Sequence, residues 1–519
     1  MLKQGLLLCT LTCLMVCTSH GQTANDGKTN SLVIYPDSGR YTINPHLYGH
    51  FSEHLGRCIY GGIWVGPDSP IPNTNGVRND VANALKKIKI PNLRWPGGCF
   101  ADEYHWMDGI GDPARRPKIV NTNWGGVTED NSFGTHEFLN FCELIGTEPY
   151  ISANVGSGSV EEMAKWVEYV NADGESPMAN LRRANGRDKP WKVKYWGVGN
   201  ESWGCGGNMR PEYYADLYRR YATYCRNYGD NRLFKIASGA SDYNYNWSEV
   251  LMKNVGNRMN GLSLHYYTVK GWRGSKGSAT DFTLDEYMFI LEKSMGIEPV
   301  LQKHIEIMDT YDPEKKIGLM VDEWGTWYDV EPGTNPGFLY QQNTMRDAFV
   351  AALTLNIFHR YAQRIQMANI AQLVNVLQAL ILTGDDKMVL TPTYHVFDLY
   401  QVHKGSVFLP SDLMSEVYTE GEKSIPALSA TSSMAADGTI HISIVNVHPS
   451  KAIPLTCDIR NSKVGSGSAR ILTAPDVHAH NTFDDPDSVT TREFRQFKVK
   501  AGTLTVEVPP RSIVVFNLN

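Results

Sequence analysis

Two short apolar runs in this chain each end in a glutamate. The first is Lys192-Val193-Lys194-Tyr195-Trp196-Gly197-Val198-Gly199-Asn200-Glu201, and the second is Ile317-Gly318-Leu319-Met320-Val321-Asp322-Glu323-Trp324-Gly325. Runs of β-branched and aromatic residues read as strands. A carboxylate at the carboxyl end of a strand sits where barrel enzymes carry out their chemistry. Two carboxyl groups facing each other across a sugar are the minimum equipment for breaking a glycosidic bond. Glu201 then suits the general acid, whose pKa must lie well above that of a free glutamate, as burial among aromatics such as Trp196 and Trp203 would bring about. Glu323 suits the nucleophile. Taken singly, each has a plainer reading, Glu201 as a helix-capping carboxylate and Glu323 as an ion-paired strand end.

Other strand ends supply candidate partners. Arg94-Trp95-Pro96-Gly97-Gly98-Cys99 is a tight turn whose glycines let backbone approach a ligand and whose arginine can hold Glu323 ionised. Glu53 closes the first strand candidate, His265 and Tyr267 the sixth, and Gln372 and Asn375 the eighth. Trp124, Trp203, Trp324 and Trp327 flank these sites and could stack on sugar faces, although core packing accounts for many of the 12 tryptophans.

Eight strand candidates position these residues: Leu47–Glu53, Pro91–Pro96, Pro149–Val155, Val193–Glu201, Phe234–Gly239, Leu262–Tyr267, Ile317–Glu323 and Met367–Val374. Helical patterns lie between them, including Val81–Lys89, Glu137–Leu144, Val160–Asn171, Pro211–Arg226, Leu284–Thr310 and Gln342–Ile357. Eight such units without a Gly-rich phosphate turn favour an α/β fold of the (β/α)8 TIM-barrel type over a doubly wound sheet. A last helix, Tyr394–Lys404, leads into short alternating strands separated by polar turns, the pattern of a β-sandwich. The division expected is a leader at 1–21, a segment 22–44 that adds a strand to the sandwich, a barrel over 45–404 and a jelly-roll-like sandwich over 405–519.

The chain has 519 residues, 42% of them hydrophobic, and a formal net charge of −6. That is ordinary globular composition, and the acidic balance argues against nucleic acid as a partner. Lys3 followed by the apolar run Leu6 to Cys17 reads as a signal peptide too short to be a permanent span, so an exported, periplasmic or secreted protein is expected. Cys17 raises a lipid-anchored alternative, weakened by the bulky Val16 before it. Six cysteines lie beyond the leader, without metal-ligand spacing or the density of a disulfide scaffold, and mostly free, buried thiols are expected.

At these residues the sequence resembles an α-L-arabinofuranosidase of glycoside hydrolase family 51. The likeness rests on Tyr48-Gly49-His50-Phe51-Ser52-Glu53, Leu93-Arg94-Trp95-Pro96-Gly97-Gly98, Gly199-Asn200-Glu201-Ser202-Trp203-Gly204, Asp322-Glu323-Trp324, Ala368-Asn369-Ile370-Ala371-Gln372-Leu373-Val374-Asn375 and Tyr394-His395-Val396-Phe397-Asp398-Leu399-Tyr400. It implies retaining, exo-acting hydrolysis of terminal arabinofuranosyl groups of arabinan or arabinoxylan, with Glu201 as acid/base and Glu323 as nucleophile. It further implies furanose contacts from Glu53, Cys99, Asn200 and Gln372, Tyr267 positioning Glu323, and His265 beside Glu201. No metal or cofactor is expected, and a homo-oligomer, commonly a hexamer, is. An endo-β-glucanase or xylosidase on the same scaffold and a non-catalytic glycan-binding protein are the alternatives. The stretch Gly271–Gly277 and the helical region after it depart from the pattern and bear on chain-length preference.

Overall fold

The computed structural model describes residues 30–519, so the expected leader and Cys17 lie outside the described residues. Eight parallel strands close into a barrel in chain order: β1 (Gly49–Phe51), β2 (Asn92–Trp95), β3 (Glu148–Ala153), β4 (Tyr195–Val198), β5 (Phe234–Ser241), β6 (Gly261–Val269), β7 (Gly318–Trp327) and β8 (Ile365–Ala371). Each overlaps a strand expected from its apolar run. Tyr150, Tyr195, Ile236, Met320 and Met367 fill the barrel interior beneath the site. Outward-facing neighbours such as Trp196 and Val321 join the larger core under the helices.

Helix Pro177–Ala184 carries too few apolar residues in register to stand out from the sequence, whereas Tyr245–Val255, not among the helices named from the sequence, does show the spacing, with Trp247, Leu251 and Val255 on its buried face. The single helix expected over Leu284–Thr310 is two, Leu284–Met295 and Ile297–Tyr311. Gly296 separates them, and Pro299 in the first turn of the second has no N–H to continue the ladder.

Two larger sheets lie outside the barrel, and one of their strands, Ser31–Ile34, precedes it in the chain. One has strand order Ser411–Met414, Ser31–Ile34, Ile453–Ile459, Thr503–Val508, Phe497–Lys500. The other runs Val407–Phe408, Leu428–Met434, Ile440–Asn446, Ser512–Leu518, Gly467–Thr473, Thr491–Glu493. The sheets face each other through contacts such as Phe497 with Phe516, ring centroids 5.2 Å apart. In the first sheet Ile453–Ile459 alternates buried and open positions, whereas every residue of Ile440–Asn446 in the second is buried. That second sheet also packs on helix Met345–Arg360, so it is covered on both faces.

Candidate active site

Register, more than sequence spacing, brings the acidic residues together. Along β6 and β7, Ser263 pairs with Met320 but His265 pairs with Glu323, so β7 carries one extra residue. Ordinary alternation would put Asp322 and Glu323 on opposite faces. The bulge turns both inward, the re-aiming for which bulges at active sites are known. Asp322 accepts hydrogen bonds from Tyr150 Oη (2.6 Å) and Ser263 Oγ (2.5 Å). Glu323 accepts from Arg94 Nη1 (2.9 Å) and Tyr267 Oη (2.7 Å).

Glu201 lies three residues beyond β4, with a left-handed backbone (φ 38°). Asp102 holds this turn, accepting from the N–H groups of Asn200 (3.0 Å), Val155 and Gly156 (both 2.8 Å). His265 links the two glutamates. Its Nδ1 lies 2.9 Å from Glu201 Oε1 and 3.4 Å from Glu323 Oε2, and its Nε2 lies 3.3 Å from Asp322 Oδ1. A carboxylate oxygen of Glu201 and one of Glu323 lie within 4.8 Å of each other.

Electrostatics follow from this crowding. Burial alone would discharge His265, but Glu323, Asp322 and Glu201 surround it and push it up to about 10. The imidazolium and Arg94 in turn overcome the burial of Asp322 and hold it down to about 2. Burial, and then the charge of Glu323, raise Glu201 above the ordinary glutamate range. Both ring nitrogens of His265 face carboxylate oxygens, the arrangement of an imidazolium that donates from each side. Glu53 caps the end of β1. Its Oε1 accepts from the Gly98 and Phe100 N–H groups and from Trp124 Nε1 (3.0, 3.1 and 2.9 Å), and its Oε2 from Gln372 Nε2 (2.8 Å). Burial and the charge of Glu323 push Glu53 up to about 7. A Cβ on Gly97 (φ 158°) would fall 2.4 Å from Glu53 Cγ, so this turn requires glycine.

A cavity of about 440 Å³ opens above these groups. Of the expected site residues, Glu53, Cys99, Trp124, Glu201, Tyr267, Glu323 and Gln372 line it. Arg94, Asn200 and His265 are buried behind its wall, where Arg94 Nη2 donates to Asn200 Oδ1. Asn375 turns away and bonds to Arg57 O and Thr383 Oγ1. Trp203 and Trp327 line the cavity as the aromatic clustering suggests. Trp324 does not, because alternation sends it outward against Phe358 (5.4 Å). Trp196 likewise faces Trp166 outside the barrel and is not part of the surroundings of Glu201.

Several residues escaped the sequence reading. Trp272, from the 271–277 stretch, stands at the mouth within 5.5 Å of Trp327 between ring centroids. Asp102, Tyr150 and Ser263 support the site from positions that carry no local signal. Cys99 is joined to Cys205, whose Sγ lies 3.6 Å from Glu201 Oε2. The expectation of free thiols therefore fails for this pair and holds for the buried Cys58, Cys142, Cys225 and Cys457. The two partners are 106 residues apart in sequence, and only barrel closure brings them together.

Comparison with known proteins bears directly on this site. Residues 84–273 match the family model of the α-L-arabinofuranosidase 1 domain, and 322–512 that of the α-L-arabinofuranosidase C-terminal domain. A Bacteroides ovatus protein described as an intracellular exo-α-L-arabinofuranosidase is 60% identical, covering 95% of this chain and 96% of its own. That description overturns the export expected from the leader-like run, and with it the periplasmic, secreted and lipid-anchored readings. The crystal structure of the GH51 arabinofuranosidase from Xanthomonas axonopodis pv. citri superposes with a TM-score of 0.93 at 50% identity, covering 95% of this chain and 100% of that one. The arabinose complex of the Thermotoga maritima α-L-arabinofuranosidase gives 0.81 at 32% identity, covering 94% and 99%. With its barrel, its facing glutamates and relatives of this similarity along nearly its whole length, the chain belongs to the α-L-arabinofuranosidases of glycoside hydrolase family 51.

Proposed function

We propose that the protein releases terminal α-L-arabinofuranosyl groups by double displacement, with Glu323 as nucleophile and Glu201 as acid/base. The observation that carries this reading is the approach of the two carboxylates to within 4.8 Å. Retaining enzymes hold their carboxyl groups about 5–5.5 Å apart, whereas inverting enzymes leave room for a water. Glu323, held by Arg94 and Tyr267, attacks the anomeric carbon while Glu201 protonates the departing oxygen. The Glu323 charge then disappears into the ester. Since that charge helps raise Glu201, its loss lets the Glu201 pKa fall, which suits the base that must take a proton from water in the second step. Glu53, Gln372 and Trp124 stand where furanose hydroxyls and ring faces would meet them. In the same reading Cys99 contacts the sugar through its disulfide sulfur, Arg94 and His265 act through the carboxylates they touch, and Asn200, whose amide oxygen accepts from Arg94, helps to hold that arginine in place.

The substrate is the arabinofuranosyl decoration of a neutral polysaccharide or its oligosaccharides. We include in the proposal a homo-oligomer, to be read by sedimentation, and the chain division at about residues 45 and 405.

Replacing the nucleophile tests the mechanism. Glu323→Ala is expected to lose turnover of p-nitrophenyl α-L-arabinofuranoside, with azide restoring some activity and giving the inverted glycosyl azide. Turnover near that of the wild type would remove Glu323 from the reaction. Hydrolysis of the β-D-xyloside or β-D-glucoside in place of the arabinofuranoside would overturn the substrate.

A further inference from the structure

A second cavity, of about 320 Å³, lies against the first. Three separate segments each give one side chain to the catalytic cavity and another, one or two positions away, to its neighbour. Leu55, Leu339 and Leu377 face the catalytic side, while Arg57, Phe338 with Tyr340, and Asn375 face the other. Hydrogen bonds tie the partition together: Leu377 N–H donates to Leu339 O (3.0 Å), and Asn375 Nδ2 to Arg57 O (2.9 Å). The left-handed backbone at Leu339 (φ 49°) lets its side chain point opposite to those of Phe338 and Tyr340.

The lining of the second cavity suits a sugar chain. Phe338, Tyr340 and Phe483 are half-buried aromatics, so part of each ring is open to a ligand. Phe483 reaches in from the sandwich and packs with Tyr340 on Ala379, Leu382 and Val389, which fixes both rings. Asn335 uses its carbonyl oxygen to accept the Gly337 N–H (2.9 Å), and among the described residues its amide nitrogen has no partner. Arg57 has no carboxylate partner among the described residues and makes only a long contact, 3.4 Å, to Gly384 O. Rigid rings beside uncommitted N–H donors are what the C–H faces and hydroxyls of a neutral sugar require.

We propose that this cavity is a distal subsite for the neutral pentose chain that remains attached to the arabinofuranosyl group being cleaved. This rests on the arabinofuranosidase reading above. Its occupant follows from proximity, since the two cavities lie on opposite sides of one thin wall, segments 55–57, 338–340 and 375–377, and a chain that leaves the catalytic cavity over that wall reaches this pocket.

Phe483→Ala tests it, with p-nitrophenyl α-L-arabinofuranoside, α-1,5-arabinobiose and α-1,5-arabinopentaose as substrates and an arabinofuranosyl-substituted xylopentaose as a parallel arm. Loss of one stacking surface should raise KM about five- to tenfold for a long chain. The nitrophenyl glycoside and the biose should be unaffected, and Phe483→Trp should keep wild-type behaviour. A chain-length effect in either pentose series supports the subsite. Equal losses on short and long substrates, or no loss on either long chain, overturn it. Calorimetry of arabinopentaose and the xylopentaose on Glu323→Ala, with and without Phe483→Ala, separates the two readings. If the wild type releases no arabinose from the nitrophenyl glycoside, the catalytic assignment falls. Weaker chain binding by the double variant would still uphold the pocket, and unchanged binding would remove it.

Discussion

Glu53 shows how one side chain can cost stability in order to serve a site. Its raised pKa, about 7, means that the folded protein takes up a proton there more readily than the unfolded chain does. Between the ordinary glutamate value and pH 7, stability therefore falls as pH rises, and the full cost is present above pH 7. Glu53→Gln removes that cost. Gln372 can receive the new amide by rotating, because its own Oε1 has no partner among the described residues. The variant should be more stable at pH 8 by about 1–3 kcal/mol and little changed at pH 4, with lower activity throughout. Equal shifts of melting temperature at both pH values would contradict this. His265 gives a complementary test. Its positive charge favours ionised Glu201, so His265→Asn should move the alkaline limb of the kcat/KM profile upward, by on the order of one pH unit, while lowering the maximum. A limb that stays in place or moves down would argue against that coupling. At this scale the sequence revealed the groups that end strands, Glu53, Glu201 and Glu323. It did not reveal Asp102 or Tyr150, whose importance arises from what they touch across the barrel.

Strands carried most of what the sequence could tell about the elements. Eight apolar runs gave eight barrel strands because burial on both faces leaves few polar interruptions. The bulges were hidden, since an extra residue is defined only against a partner strand. Besides the bulge in β7, a second lies in β5, where Ala237 pairs with Leu262 and Ala240 with Leu264. Gly239 occupies it so closely against β6 that a Cβ would fall 1.6 Å from Ser263 O. Trp203 Nε1 also donates to Gly239 O (3.0 Å), coupling this bulge to the Glu201 turn. Gly239→Ala should therefore cost about 3 kcal/mol or more and reduce activity together with melting temperature. A variant that melts like the wild type would show that β5 can shift without loss. The helix break at Gly296 was missed for a related reason. The apolar periodicity runs through it and outweighed the local signal of Gly296 and Pro299, while the tight approach of Tyr266 Oη and Lys293 O, each 3.0 Å from a would-be Cβ, disfavours a side chain at 296.

Across the whole molecule, the strand Ser31–Ile34 joins regions that sequence order separates. It pairs antiparallel with Ser411–Met414 on one side and parallel with Ile453–Ile459 on the other. Leu32 and Ile34 are buried among the sandwich residues. Leu32→Ala should cost about 2–4 kcal/mol and lower the calorimetric midpoint of the sandwich and barrel together, since helix Met345–Arg360 packs on the second sheet. A midpoint unchanged from the wild type would mean that this strand is dispensable. The barrel is thus an excursion between one sandwich strand and its partners. During synthesis on the ribosome, Ser31–Ile34 emerges early and must wait, with both edges open, until the entire barrel and much of the following domain have been translated. Until those partners arrive its open edges are free to pair with another chain, and factors that shield nascent chains would have their greatest effect in that interval.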